Sequence, residues 1–130
     1  TQSVHVITPD KQHRVADQGK VTRPNGITIS PDEQTLYVSD HGGAHVWAWQ
    51  IQKDGSLTAG APFMTMRLAT GKESAQGDGA TTEAKGRIFV TTEIGIQIFD
   101  TAGRLAGILD KPRPEAKVVS VEFAGPNHDL

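Results

Sequence analysis

The chain has 130 residues, of which 36% are hydrophobic and 22% charged, and it carries a formal net charge of -2 and no cysteine. This size suits one domain-sized unit, and the missing cysteines exclude disulfide frameworks, thiolate metal sites and cysteine nucleophiles. The basic residues are scattered, and no apolar run approaches the ~20 residues of a membrane span, so the sequence predicts neither a nucleic-acid partner nor a membrane partner.

Short apolar runs bounded by turn residues follow one another along the chain, and no run has a helical period. This pattern is typical of an all-β protein. The predicted strands cover residues 4–7, 14–16, 26–30, 35–39, 46–51, 62–66, 80–82, 87–91, 96–99 and 105–109. A last apolar run, at residues 118–123, is predicted to open a further unit.

The predicted strands form a repeat. One unit opens at Asn25 and a second at Asp78, each followed by a glycine and an apolar strand, and a third opens at Ser120. Four antiparallel strands repeated about every 40–55 residues is the spacing of β-propeller blades. We therefore predict an all-β fragment of a β-propeller, with a β-sandwich as the alternative. The predicted units are the end of one blade at 1–20, complete blades at 21–70 and 71–112, and the start of another at 113–130.

Two complete blades and parts of two others do not close a ring, because a propeller needs at least about four blades. An open ring leaves unpaired strand edges and an uncovered blade face. We expect the remainder of the propeller to come from a longer chain or from a second copy.

Polar residues are expected to converge on one face of the fragment. In an up-and-down blade alternate loops share a face, and the tight hairpin turns take the opposite face from the starts of the inner strands. The long polar connection at residues 67–76 is expected on the same face as those starts. The candidate residues there are Asn25, Asp40, His41, Asp78, Glu93 and Ser120.

Two of these residues carry hard oxygen ligands. The amide carbonyl of Asn25 and the carboxylate of Asp78 suit Ca²⁺, Mg²⁺ or Mn²⁺. Such a cation could polarise an ester carbonyl while a carboxylate accepts the proton of the attacking water. A plain turn is the alternative for both residues, backbone capping is the alternative for Asp40, and a structural or solvent-exposed role is the alternative for His41 and Glu93.

Three motifs occur in the order and at the spacing of a known family. They lie at residues 23–27 with 30–33 and 35–40, at 77–79 with 85–91 and 95–100, and at 120–126. Together they resemble the regucalcin (senescence marker protein) and gluconolactonase family. The resemblance implies the C-terminal half of a six-bladed propeller with a divalent metal in its channel, Ca²⁺ first and Zn²⁺, Mn²⁺ or Mg²⁺ as alternatives.

The same resemblance implies site roles. Asn25 and Asp78 would bind the metal, Asp78 would also be the catalytic base, and Ser120 would line the pocket. The family's glutamate ligand, and its substrate-binding arginine and asparagine, lie in blades that this sequence does not include.

The function that the resemblance implies is metal-dependent hydrolysis of a sugar-type lactone, with a small-molecule substrate. The alternatives are a non-catalytic propeller that binds metal or protein, an inactive fragment, and a propeller hydrolase for another ester or a phosphotriester. Composition predicts a soluble protein and leaves the cytoplasm and a periplasm equally open.

Overall fold

The computed structural model describes residues 2–125. These residues form ten β-strands and no helix, so the all-β prediction is confirmed. The strands are β1 Ser3–Ile7, β2 His13–Gln18, β3 Pro24–Ile29, β4 Thr35–Asp40, β5 His45–Gln50, β6 Ala61–Thr65, β7 Ala80–Thr82, β8 Ile88–Thr92, β9 Gly95–Phe99 and β10 Leu105–Leu109. The described part of the chain therefore offers no helix of the length and apolar character that a membrane span needs.

The strands form three antiparallel sheets. β1 and β2 make a two-stranded sheet, and the strand orders β3-β4-β5-β6 and β7-β8-β9-β10 make two four-stranded sheets. Each four-stranded sheet follows chain order, which is the up-and-down arrangement of a propeller blade. The prediction of four-stranded antiparallel units is confirmed.

The apolar run at residues 118–123 does not form a strand in the described structure. One backbone hydrogen bond ties it to the preceding sheet, from Gly79 N to Val119 O at 2.9 Å. A strand is defined by a ladder of such bonds. The run lies against the inner edge of the sheet, and a single bond does not make a ladder.

The middle sheet has apolar layers on both faces. Every residue of β4 after Thr35 is buried. Alternate side chains of a strand point to opposite faces, so both faces of β4 are covered. Leu36 and Val38 pack with Val4 and Trp49 toward the first sheet. Tyr37, on the other face, joins a layer made with the third sheet, whose buried members include Val46, Met64, Met66, Ile88, Val90 and Phe99. The three sheets are thus stacked face to face.

The inner strands β3 and β7 lie side by side. The hydroxyl oxygens of Thr28 and Thr82 are 3.0 Å apart across them. On the opposite face of β3, Ile27 and Ile29 remain 55% and 42% exposed. The first sheet packs instead against the two central strands of the middle sheet, on Leu36 and Val38 of β4 and on Trp49 of β5, whose Nε1 donates to Asp17 Oδ1 at 3.2 Å. The innermost strand of the middle sheet is consequently uncovered on one face.

Candidate functional site

A cavity of about 340 Å³ opens on the face where the inner strands begin. The β3–β4 and β7–β8 turns, in which Pro31 and Gly86 lie close together, are at the opposite end of the sheets from the cavity. Its walls come from the β4–β5 turn, the connection after β6, the β8–β9 turn and the segment after β10. The residues that line it are His41, Gln76, Asp78, Thr92 and Glu93, together with Lys111 and residues 115–119.

Asp78 is held in this cavity by its backbone. Its N–H donates to Thr91 O at 2.8 Å, and its carbonyl oxygen accepts from Ser39 Oγ at 2.6 Å. Both partners belong to second strands of neighbouring sheets, so two sheets together fix the position of residue 78. The carboxylate is partly exposed and lines the cavity.

Ser39 connects the segments at which the inner strands of two neighbouring sheets begin. Its buried hydroxyl donates to Asp78 O and accepts from Gly26 N at 2.9 Å. Gly26 itself touches the next sheet, since a Cβ atom on it would lie 2.1 Å from Asp78 O. Asn25, in β3, and Asp78, two residues before β7 begins, therefore lie close to each other at the starts of two neighbouring inner strands.

We expect Ser39→Ala to lower the free energy of unfolding by about 1–3 kcal/mol, because it leaves a buried N–H of Gly26 and a part-buried carbonyl of Asp78 without this partner. Ser56→Ala is the matched control. The Ser56 hydroxyl donates only to nearby Asp54 in a hairpin turn, and its loss should cost within about 0.5 kcal/mol. Urea unfolding of the protein measures both. Equal losses in the two variants would contradict the bridging role of Ser39.

Asn25 and His41 meet at the rim of the cavity. The side-chain amide nitrogen of Asn25 lies 3.5 Å from Nδ1 of His41. An amide whose nitrogen is directed at His41 keeps its carbonyl oxygen as the end available to a ligand. His41 lines the cavity directly, while Asn25 is exposed on β3 beside it.

The carboxylate of Glu93 is held by the connection after β6. Gln76 Nε2 donates to Glu93 Oε2 at 3.2 Å, and Lys72 Nζ lies 3.7 Å from Oε1. Both partners come from residues 67–76, the long connection that the sequence placed on this face.

That connection is fixed to both four-stranded sheets. The buried amide of Gln97 accepts from Arg67 N and donates to Arg67 O, both at 2.8 Å. Ser74 Oγ donates to His41 O at 2.6 Å. A loop tied at both ends in this way can hold the groups that it presents to the cavity.

Besides Asn25 at the rim, two of the predicted site residues do not line the cavity. Asp40 is only 3% exposed, and its carboxylate accepts from three backbone N–H groups, those of Thr22, Arg23 and Gly42, at 2.8–3.0 Å. This is the backbone-capping alternative that the sequence left open. Ser120 is exposed and packs beside Gly79, while its neighbours in 115–119 form the cavity wall.

The oxygen donors match a hard cation by type. Asn25 and Asp78 offer an amide and a carboxylate oxygen, the groups that Ca²⁺ and Mg²⁺ prefer. Within residues 2–125, however, no group of three or more His, Asp or Glu side chains is arranged to hold a metal ion. These two oxygen donors are fewer than the about 6–8 that Ca²⁺ takes.

A second cavity, of about 390 Å³, lies against the outer strand β10, and its lining residues include Arg67, Ile94, Leu105, Ile108 and Asp110. It contains none of the candidate residues and is far from the inner strands. We assign it no role in the chemistry.

Comparison with known families gives a match over the whole length of the chain. The model of the SMP-30/Gluconolactonase/LRE-like region matches residues 1–130. The chain belongs to this family. The resemblance drawn from the sequence motifs is thereby confirmed, while the half of the propeller to which the chain corresponds stays a prediction.

Individual relatives agree with this assignment. The chain is similar to a gluconolactonase of Zymomonas mobilis, with 29% identity over 107 residues that cover 79% of this chain and 30% of that protein. Its structure resembles a gluconolactonase of Xanthomonas campestris at a TM-score of 0.71, with 28% identity, 93% of this chain and 37% of that one. It also resembles a calcium-binding regucalcin of Agrobacterium tumefaciens at a TM-score of 0.79, with 20% identity, 97% of this chain and 41% of that one.

The chain thus spans 30% of the curated relative and about two fifths of the solved propellers. The predicted fragment of a six-bladed SMP-30/gluconolactonase propeller is confirmed on this basis.

Sequence reasoning missed three contributors to the site. Ser39 could have been found, because it has the same register as Thr91 in the second strand of the next repeat. Gln76 and Lys111 do not belong to any of the sequence motifs. The sequence placed the connection that contains Gln76 on this face without singling out Gln76, and it did not place Lys111 at all.

Proposed function

We propose that this chain forms part of the active site of a divalent-metal-dependent hydrolase for sugar-type lactones. The observation that carries the proposal is the position of Asp78, which lines a cavity on the inner-strand face and lies against Gly26, the neighbour of Asn25. Two findings support the choice of reaction. The chain belongs to the SMP-30/gluconolactonase family, and it is similar to two proteins described as gluconolactonases.

Asn25 and Asp78 would hold the cation through their side-chain oxygens, with Ca²⁺ as the first choice and Zn²⁺, Mn²⁺ or Mg²⁺ as alternatives. The chemistry supplied by the bound cation is polarisation of the lactone carbonyl. Asp78 accepts a proton from water as the water oxygen attacks the carbonyl carbon. The ring C–O bond then breaks, the leaving oxygen takes up a proton, and the product is the open hydroxy acid.

A complete ring requires blades beyond those described, and we propose that the rest of the full-length polypeptide or a second copy supplies them. Those blades would bring the remaining oxygen ligands to the channel opposite Asn25 and Asp78. The proposal follows from the uncovered face of β3 and from the share of the related propellers that the chain spans.

The test is proton release from D-glucono-1,5-lactone by the full-length polypeptide that carries this chain. We expect hydrolysis above the spontaneous rate with Ca²⁺, its loss on adding a chelator, and its recovery when Ca²⁺, Zn²⁺ or Mn²⁺ is restored in excess. Binding of Ca²⁺ without hydrolysis would overturn the proposal. It would favour a non-catalytic metal-binding propeller, the alternative suggested by similarity to a regucalcin described as calcium-binding.

A further inference from the structure

Glu93 is a carboxylate of the cavity that the proposed hydrolysis step does not use. Its backbone N–H donates to Ala75 O at 3.1 Å. The neighbouring Thr92 is fixed as well, because its hydroxyl donates to Gly95 O at 2.8 Å. The backbone at residue 93 is thus held both by the connection after β6 and by its own turn.

The side chain of Glu93 is oriented by two donors from that connection. Gln76 Nε2 and Lys72 Nζ approach different carboxylate oxygens, at 3.2 and 3.7 Å. The side chains of Lys72 and Glu93 are 51% and 30% exposed, and ion pairs as exposed as this add little to stability. The contacts therefore orient the carboxylate more than they stabilise the fold, and each oxygen keeps acceptor capacity toward the cavity.

Gln76 adopts a backbone conformation that is unfavourable for its residue type. Its φ of 52° lies in the left-handed region, which non-glycine residues rarely occupy. The conformation is supported by Ser74, whose hydroxyl accepts from Gln76 N at 3.0 Å. This strained backbone brings the Gln76 amide onto Glu93 at the cavity wall. Strain of this kind persists where the surroundings fix it.

We infer that Glu93 accepts hydrogen bonds from the hydroxyl groups of the substrate, and that Gln76 is the positioning residue that orients it. The inference rests on the proposed lactone hydrolysis and assigns to Glu93 and Gln76 the recognition of the hydroxyl groups of the lactone. A carboxylate offers only acceptors, and its bonds to O–H groups are about twice as strong as those between neutral groups. A site built around such an acceptor discriminates against an analogue that lacks the hydroxyls.

The experiment compares kcat/KM for D-glucono-1,5-lactone and for δ-valerolactone, which has the same six-membered ring without hydroxyls. In the full-length polypeptide, Glu93→Gln should lower the value for the sugar lactone about 10–100-fold, mainly through a higher KM, and change δ-valerolactone hydrolysis by less than about threefold. Glu73→Gln is the matched control. It removes a carboxylate from an exposed position of the same connection, and it should change neither value.

Gln76→Gly separates positioning from folding. Glycine accepts the left-handed backbone, so this variant removes the amide without adding strain. We expect it to lower the preference for the sugar lactone about 3–10-fold while the melting temperature stays close to that of the parent protein.

Three outcomes distinguish the inference from the proposed function. A selective loss on the sugar lactone supports both. Hydrolysis of both lactones with an unchanged preference in Glu93→Gln and Gln76→Gly overturns the inference and leaves the proposed function standing. Absence of metal-dependent hydrolysis in the parent protein overturns the proposed function, and the inference with it.

Discussion

Replacement of Asp78 by alanine is expected to lower kcat/KM for D-glucono-1,5-lactone about 10³-fold or more. The substitution removes both a metal ligand and the base that takes the proton from water, and a general base alone contributes about 10²–10⁴-fold. Stability should change little, because residue 78 is fixed by its backbone bonds to Thr91 and Ser39, which alanine retains. Initial rates with saturating Ca²⁺ and a thermal melt measure the two effects.

Two further variants separate the roles of Asp78 and control for the loss of a carboxylate. Asp78→Asn keeps an oxygen ligand but loses the proton acceptor, so its kcat should fall while some Ca²⁺ binding remains. Asp54→Ala, in the β5–β6 turn at the opposite end of the sheet, should leave kcat/KM unchanged. Hydrolysis by Asp78→Ala at the parent rate would show that this carboxylate has no part in the reaction.

Replacement of Gly26 by alanine is expected to destabilise the fold by about 3 kcal/mol or more. A Cβ atom at this position would lie 2.1 Å from Asp78 O and 2.7 Å from Ala80 N. Both are backbone atoms, so no change of side-chain rotamer relieves the overlap, and the inner strands β3 and β7 must separate. Because the displaced atom belongs to Asp78, any folded fraction should also lose activity. Urea unfolding and the lactone assay report the two effects.

Gly107→Ala is the matched control for this substitution. Gly107 lies in β10, and a Cβ atom there would meet nothing within 4 Å. Its free energy of unfolding should change by less than about 0.5 kcal/mol. If Gly26→Ala unfolds at the same urea concentration as Gly107→Ala, the close approach of the two inner strands is not a feature of the folded protein.

Most of the fold could be predicted because strand signals are local. Alternating apolar residues and turn residues gave ten strands that the structure confirms, most with bounds within about two residues. The run at 118–123 shows where this reasoning stops. Its apolar character is that of a strand, but strand formation also requires a partner, and within residues 2–125 the run makes one backbone bond to the preceding sheet, with Gly79.

The site could be predicted in part, for a topological reason. A repeat places equivalent positions on one face, so Asp78, His41 and Glu93 do line one cavity, with Asn25 at its rim. Repeat position does not fix the direction of a side chain. Asp40 shares the face, yet its carboxylate turns inward to bind three backbone N–H groups. The metal and catalytic roles of Asn25 and Asp78 stay predictions.

The sequence by itself determined the strand order, the repeat, the family and the residue types that open each blade, because these depend on local periodicity and on motifs within one unit. Only the tertiary structure decided how neighbouring units touch. It placed Ser39 between Gly26 and Asp78, and it brought Gln76 onto Glu93 from a connection without a motif. Such contacts join residues far apart in the chain, and they form only when stacking of the sheets brings those residues together.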